Sequence, residues 1–151
     1  MAKEIERKFL VNDFSYRDIA REAVEIAQGY ISSDPDRTVR VRMWGDKGFL
    51  TVKTRNAGAV RNEWEFEIPY DMAREMLDTV CSTKLLKTRY IVPCGDSLMW
   101  EVDEFHGRLQ GLIVAEIELQ CADQPFDIPG FIGREITADP QYYNSNLAAQ
   151  A

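Results

Sequence analysis

From Arg61 to Ile68 the chain alternates charge with bulk: Arg61, Glu63, Glu65 and Glu67 take every second position, and Trp64, Phe66 and Ile68 fill those between. A two-residue period is the signature of a strand, whose successive side chains point to opposite faces. The pattern recurs along the whole chain. Glu4, Glu6 and Lys8 oppose Ile5 and Phe9; Arg40 and Arg42 oppose Val39, Val41 and Met43; Thr51 and Lys53 oppose Leu50 and Val52. Lys87 and Arg89 alternate with Thr88, Tyr90 and Val92, Glu101 and Asp103 with Trp100 and Val102, and Glu116 and Glu118 with Ala115, Ile117 and Leu119.

A sheet with one solvated face would account for any one of these strands. The set as a whole points elsewhere, because an open sheet of eight strands leaves two edges to protect and closure removes them. The expected strands are 4–11, 28–32, 38–44, 48–54, 61–68, 86–93, 99–105 and 112–119, bounded by Gly, Pro, Asn and Asp. The fold class is therefore α+β, mainly β: a closed eight-stranded antiparallel barrel with a charged interior, its apolar outer face covered by a few helices. Those helices are expected over Ser15 to Ala27, over Met72 to Val80 after Asp71, and over Tyr143 to Ala149 after Asp139-Pro140. Gly45-Asp46-Lys47-Gly48 reads as a hairpin turn, and Asn56-Ala57-Gly58 helps to join the fourth and fifth strands. With no linker or low-complexity tract, residues 1–151 form a single domain.

If the charged faces point inward, the interior gathers Glu4, Glu6, Glu63, Glu65, Glu67, Glu101, Asp103, Glu116 and Glu118 against Lys8, Arg40, Arg42, Lys53, Arg61, Lys87 and Arg89. Burying even one unpaired charge costs several kcal/mol, so this interior is a wet tunnel and not a dry core. Paired carboxylates without His or Cys suit hard divalent ions such as magnesium, manganese or calcium. Arginine forks and lysine ammonium groups suit phosphate oxygens. A ligand touching both sets carries several phosphates bridged to metal, and phosphoryl transfer needs little beyond positioning and charge stabilisation.

Composition removes other classes. A net charge of −7 argues against a general nucleic-acid or membrane-surface binder, so neither is an expected partner. Cys81, Cys94 and Cys121 are odd in number and widely spaced, and with His106 as the single histidine they suggest neither a disulfide framework nor a zinc site. The thiols are expected to be packing groups, and His106, beside Gly107, a turn residue. No run approaches the ~20 apolar residues of a membrane span, and MAKEIERKFL lacks the apolar stretch of a signal peptide. A cytoplasmic location is expected.

The opening Glu4-Ile5-Glu6-Arg7-Lys8 matches an ExExK signature, and the rest follows in register: Gln28-Gly29-Tyr30, Arg40-Val41-Arg42, Thr51-Val52-Lys53, Glu63-Trp64-Glu65-Phe66-Glu67, Lys87-Thr88-Arg89-Tyr90, Trp100-Glu101-Val102-Asp103 and Ala115-Glu116-Ile117-Glu118. The chain resembles the CYTH superfamily, or triphosphate tunnel metalloenzymes, over nearly its whole length, and its C-terminal Tyr143-Asn144-Ser145-Asn146-Leu147-Ala148 resembles the compact bacterial branch, similar to inorganic triphosphatases. The resemblance implies Mg2+ or Mn2+ held by Glu4, Glu6, Glu116 and Glu118, with Glu63 and Glu65 completing the metal shells or orienting water. It also implies triphosphate gripped by Lys8, Arg40, Arg42, Lys53, Lys87 and Arg89.

Tyr30 and Lys87 match positions paired as a catalytic dyad in some bacterial members, although a packing role fits the tyrosine equally; Glu6 is the third catalytic candidate. The expected reaction is metal-dependent hydrolysis of inorganic tripolyphosphate to pyrophosphate and phosphate. A class IV adenylate cyclase, a thiamine triphosphatase with Trp44 as an aromatic clamp, and a non-catalytic polyphosphate-binding module are the alternatives, and a homodimer is allowed.

Overall fold

The computed structural model describes residues 2–55 and 57–151, Ala2 by its backbone alone. In chain order the elements are β1 (Ala2–Val11), α1 (Tyr16–Ile19), β2 (Glu22–Ser32), β3 (Thr38–Trp44), β4 (Lys47–Lys53), β5 (Val60–Ile68), α2 (Tyr70–Thr79), β6 (Thr83–Cys94), β7 (Leu98–Phe105), β8 (Ile113–Glu118), β9 (Ile132–Glu135) and α3 (Asn144–Ala148). The strands lie in the order β5-β4-β3-β2-β6-β7-β8-β1, and an antiparallel β1–β5 ladder from Ala2↔Glu63 to Ile5↔Val60 closes the ring. The expected eight-stranded barrel is the observed one.

β9 lies outside the ring. Where β1 leaves β5, its second half takes up β9 through Phe9↔Glu135 and Val11↔Ile132, so the freed edge of β1 stays paired. β9 was not expected. At four residues it shows no alternation, and its pairing is set by β1 rather than by its own sequence.

The expected helix over Ser15 to Ala27 is corrected. Only Tyr16–Ile19 is helical, and Glu22–Ser32 forms a long strand joining β3 to β6. The apparent helical spacing rested on alanines, which carry little facing information, while Val24 and Ile26 fit a pleated surface better. The long ladder from Glu22↔Ile91 to Tyr30↔Thr83 supplies the tertiary context that overrides local propensity.

The other two helices form where expected. Ala73 and Leu77 of α2 bury against Val41 on the outer face of β3. The helix approaches β4 so closely that a Cβ on Gly48 would come within 2.8 Å of the Ala73 Cβ. Elsewhere outside the ring, Phe9, Tyr16, Val92, Trp100, Val102, Ile117, Phe131 and Ile132 form the largest apolar cluster, with the Phe9 and Trp100 rings edge to face. The apolar faces are thus outside, and the charged faces inside.

Leu147 and Ala148 of α3 pack against Tyr30, Leu85, Phe105 and Val114, residues that share the inward face with the charges. This cluster stoppers one end of the interior. The hairpin between β3 and β4 narrows to the two-residue turn Gly45-Asp46, where Gly45 has φ 55°, a value glycine adopts without strain. In the expected Asn56-Ala57-Gly58 connection, Asn56 lies outside the described residues, while Ala57 bridges to Val60. Cys94 is buried as a packing thiol should be; Cys121 is exposed and is corrected on that point. His106 follows β7 and precedes a short 3-10 turn. Among the described residues no helix is long and apolar enough to cross a membrane.

Candidate active site

Ring order sorts the inward charges. Carboxylates come from the four consecutive strands β7, β8, β1 and β5, while most cations come from β4, β3 and β6. Between β3 and β6, β2 contributes the uncharged Gln28 and Tyr30, both buried. The interior therefore has an acidic wall facing a basic one, with Lys8 and Arg61 as the cations on the acidic side.

A cavity of about 440 Å³ runs between these walls. Glu4, Glu6, Glu63, Glu65, Glu101, Glu116 and Glu118 line it together with Lys8, Arg40, Arg42, Lys53, Arg61 and Arg89. Tyr30, Trp44 and Phe49 also reach it. Its size falls within the range typical of small-molecule sites, although its lining is far more polar than usual.

A sparse set of ion pairs links the inward charges, some between the walls and one within the acidic wall. Lys53 Nζ donates to both oxygens of Glu4, at 3.0 and 3.2 Å, and lies 3.8 Å from Glu63. Lys8 sits 3.5 Å from Glu116 and donates to the Tyr142 carbonyl at 3.3 Å. Arg40 and Arg42 share Glu65 at 3.6 and 3.4 Å, and Thr51 donates its hydroxyl to the same carboxylate at 2.8 Å. Among the described residues none accepts a hydrogen bond from the buried Nε groups of Arg40, Arg42 and Arg61. Those donors remain available to a ligand rich in oxygen.

Titration behaviour follows the walls. Glu6 stands opposite Glu118 in the β1–β8 ladder, and burial, then Glu116 and Glu4, push its carboxyl up to about 8. Burial raises Glu4 although Lys53 opposes it, and Glu118 rises through burial and the charges of Glu4, Glu101 and Glu6. Glu116 goes the other way: burial would raise it, but Lys8, Arg89, Lys87 and Lys53 hold it well below the carboxylate range. On the basic wall, burial and the neighbouring charges of Arg40 and Arg89 lower Arg42 to about 9.

A hard divalent cation suits this acidic wall. Its donors are all oxygens, and the raised carboxyls are groups whose mutual repulsion a cation relieves. Among the described residues no three acidic, His or Cys side chains are gathered into one ready cluster. An ion would therefore draw on the Glu4, Glu6, Glu116 and Glu118 side chains with water and substrate oxygens, the habit of magnesium.

The structure brings Glu4, Glu6, Glu63, Glu65, Glu116, Glu118, Lys8, Arg40, Arg42, Lys53, Arg89 and Tyr30 to one cavity, as the sequence suggested. Lys87 is different. It is fully buried, does not line the cavity, and lies 2.7 Å from Asp103, while burial lowers its ammonium to about 8. Tyr30 accepts a hydrogen bond from Gln28 Nε2 at 2.9 Å, and burial raises its phenol above the usual value. Among the described residues no bond joins Tyr30 to Lys87. Glu67 is exposed and does not line the cavity.

Arg61 and Glu101 line the cavity yet carry no assigned role in the sequence reading, although their alternation with apolar neighbours marked them as inward. Asp103, buried and holding both Lys87 and Arg89, is the other addition.

Residues 2–147 match the family model described as the CYTH domain. The chain is 47% identical to a protein of Acetivibrio thermocellus named inorganic triphosphatase, over 97% of this chain and 94% of the relative. It is 34% identical to a Nitrosomonas europaea protein of the same name, over 96% of each. Among solved structures, an inorganic triphosphatase superposes with a TM-score of 0.69 at 34% identity, covering 98% of this chain and 95% of the other. A Hippeastrum protein superposes at 0.62 with 15% identity, covering 78% of this chain and 80% of the other, which speaks to the fold alone.

Proposed function

The chain belongs to the CYTH domain family, and from that membership we propose that it is a hydrolase converting inorganic tripolyphosphate to pyrophosphate and phosphate with magnesium or manganese. The observation that carries this reading is the two-walled cavity: cations on β3, β4 and β6 face carboxylates on β7, β8, β1 and β5. A polyanion alone would be bound better without the acidic wall, so the pairing of walls favours a metal-bridged phosphate chain.

Arg40, Arg42, Lys53 and Arg89 grip phosphate oxygens from the basic wall, and Lys8 reaches them from the other side. Glu4, Glu6, Glu116 and Glu118 would hold the ion, with Glu63 and Glu65 completing its shell or orienting the attacking water. When bound, such an ion neutralises phosphate oxygens and makes a bound water more acidic. Without an ion, burial and its acidic neighbours push Glu6 up to about 8, and the charge of a bound ion would favour the carboxylate form that can ligate it or take up a proton from water. Because Gln28 holds Tyr30 and Asp103 holds Lys87, we assign those two residues to shaping and charging the wall behind the substrate rather than to proton transfer.

Incubation of metal-stripped protein with tripolyphosphate, ATP or thiamine triphosphate, adding magnesium, manganese or calcium in turn, tests the reading by phosphorus NMR. Metal-dependent release of phosphate and pyrophosphate from tripolyphosphate, faster than any product from ATP, is the expected result. Cyclic AMP from ATP as the main product would overturn it, as would tight tripolyphosphate binding without turnover.

A further inference from the structure

Trp44 ends β3 with its side chain on the face that carries Arg40 and Arg42, and it lines the cavity toward the end away from the Tyr30 and Leu147 cluster. The Arg42 guanidinium carbon lies 5.1 Å from the indole ring centroid, and that of Arg89 lies 5.4 Å away. These arginines come from strands that are not neighbours. β2 separates β3 from β6, and the β2 residue paired with Trp44 is the apolar Ile26. The indole therefore reaches across β2, whose inward residues are uncharged, and meets one arginine from β3 and one from β6.

Arg42 and Arg89 repel one another, and burial sharpens the repulsion. Arg89 is anchored from behind by Asp103 and at the cavity surface by Glu101. Arg42 is not anchored so firmly: Glu65 at 3.4 Å is its carboxylate contact, and among the described residues its Nε has no acceptor. The negative face of an indole attracts guanidinium groups, most strongly when they are desolvated. Trp44 offers that attraction to both arginines without supplying a carboxylate that would compete for them with phosphate.

Resting on the triphosphatase reading, we propose that Trp44 is a positioning residue that holds Arg42 and Arg89 at one spacing, so that both engage the same phosphate chain. The ring is consequently committed to the arginines and not to stacking on an organic group, which suits the site to an inorganic chain of phosphates. This replaces the aromatic-clamp role open to Trp44 from the sequence.

The test compares W44L, which removes the ring, with W44F, which keeps a smaller one. Calorimetric binding of tripolyphosphate is measured beside turnover of tripolyphosphate and thiamine triphosphate, and thermal unfolding confirms that each variant is folded. W44L should raise KM and the tripolyphosphate dissociation constant roughly tenfold with kcat changed less than about threefold, and W44F should recover most of that loss. Equal impairment in both variants would reduce Trp44 to a packing residue and overturn the proposal. So would unaltered binding in W44L, or a loss confined to thiamine triphosphate. Should the wild-type protein bind tripolyphosphate without hydrolysing it, the triphosphatase reading fails while the binding comparison still decides the role of Trp44.

Discussion

Asp103 holds Arg89 with both carboxylate oxygens: Arg89 Nε donates to Oδ1 at 2.7 Å and Nη2 to Oδ2 at 2.8 Å, and both side chains are buried. The same carboxylate lies 2.7 Å from Lys87 Nζ. One anion is thus shared by two cations, Lys87 behind the cavity wall and Arg89 at its surface, where Glu101 also pairs with Arg89 at 3.1 Å. Burial would raise the Asp103 carboxyl, but Arg89 and Lys87 keep it below its usual value.

Asp103→Asn removes that anion while nearly conserving its shape. Two buried cations lose their shared partner, a change expected to cost about 3–5 kcal/mol of stability. Tripolyphosphate neutralises the same wall, so its addition should raise the melting temperature of the variant by more than that of the wild type. Equal ligand-induced shifts in the two proteins would show that the Asp103 cluster and the substrate do not share a field.

Glu6 is paired directly with Glu118 across β1 and β8, an arrangement of like charges that destabilises a sheet. Glu6→Gln relieves it. The metal-free variant should be at least as stable as the metal-free wild type, while metal-dependent phosphate release falls at least a hundredfold. Thermal unfolding in chelator beside a phosphate-release assay checks both halves, and undiminished activity would remove Glu6 from the ion-binding and catalytic set.

Arg40 is buried, with Nη2 donating to Thr51 at 3.3 Å and Nε without an acceptor among the described residues. It has bonding capacity to spare for a phosphate oxygen in ground state and transition state alike. Arg40→Ala is expected to raise KM about tenfold to a hundredfold with a smaller loss of kcat, in keeping with about 1.5–3 kcal/mol for a charged hydrogen bond. Steady-state kinetics on tripolyphosphate separate the two constants, and a defect confined to kcat would make Arg40 a transition-state contact instead.

Alternation made the barrel legible because each strand divides its charged from its apolar residues between two faces, and the helices supply cover for an apolar outer one. It revealed which face a side chain shares, and so placed Glu4, Glu6, Arg40, Arg42, Lys53 and Arg89 around one cavity. Depth along the barrel is a different matter. Lys87 and Arg89 have the same parity, yet Arg89 lines the cavity and Lys87 is sealed behind it. Strand order is equally hidden from local pattern: the β2–β6 and β1–β5 ladders join residues far apart in the chain, and only the first lets Trp44 reach Arg89 across β2. The start of β2 was obscured by alanines that fit either period.

Away from the cavity, Glu104 ties α1 to the barrel. Tyr16, wholly buried, donates its hydroxyl to Glu104 Oε2 at 2.5 Å, and Arg17 donates to both Glu104 oxygens at 2.7 and 2.8 Å. Partial burial would raise the Glu104 carboxyl, but Arg17 and Tyr16 hold it below the ordinary value of 4.5. A carboxyl lowered on folding contributes stability that is complete above its unfolded value and is lost as pH falls through the folded one. Glu104→Gln keeps the shape and discards the charge, which should cost about 1–3 kcal/mol at neutral pH. The cost should shrink as the pH is lowered below 4.5, since the wild type then loses the same charge. Urea unfolding of both proteins across that range reads the difference, and a pH-independent gap would mean that Glu104 acts through packing rather than through its charge.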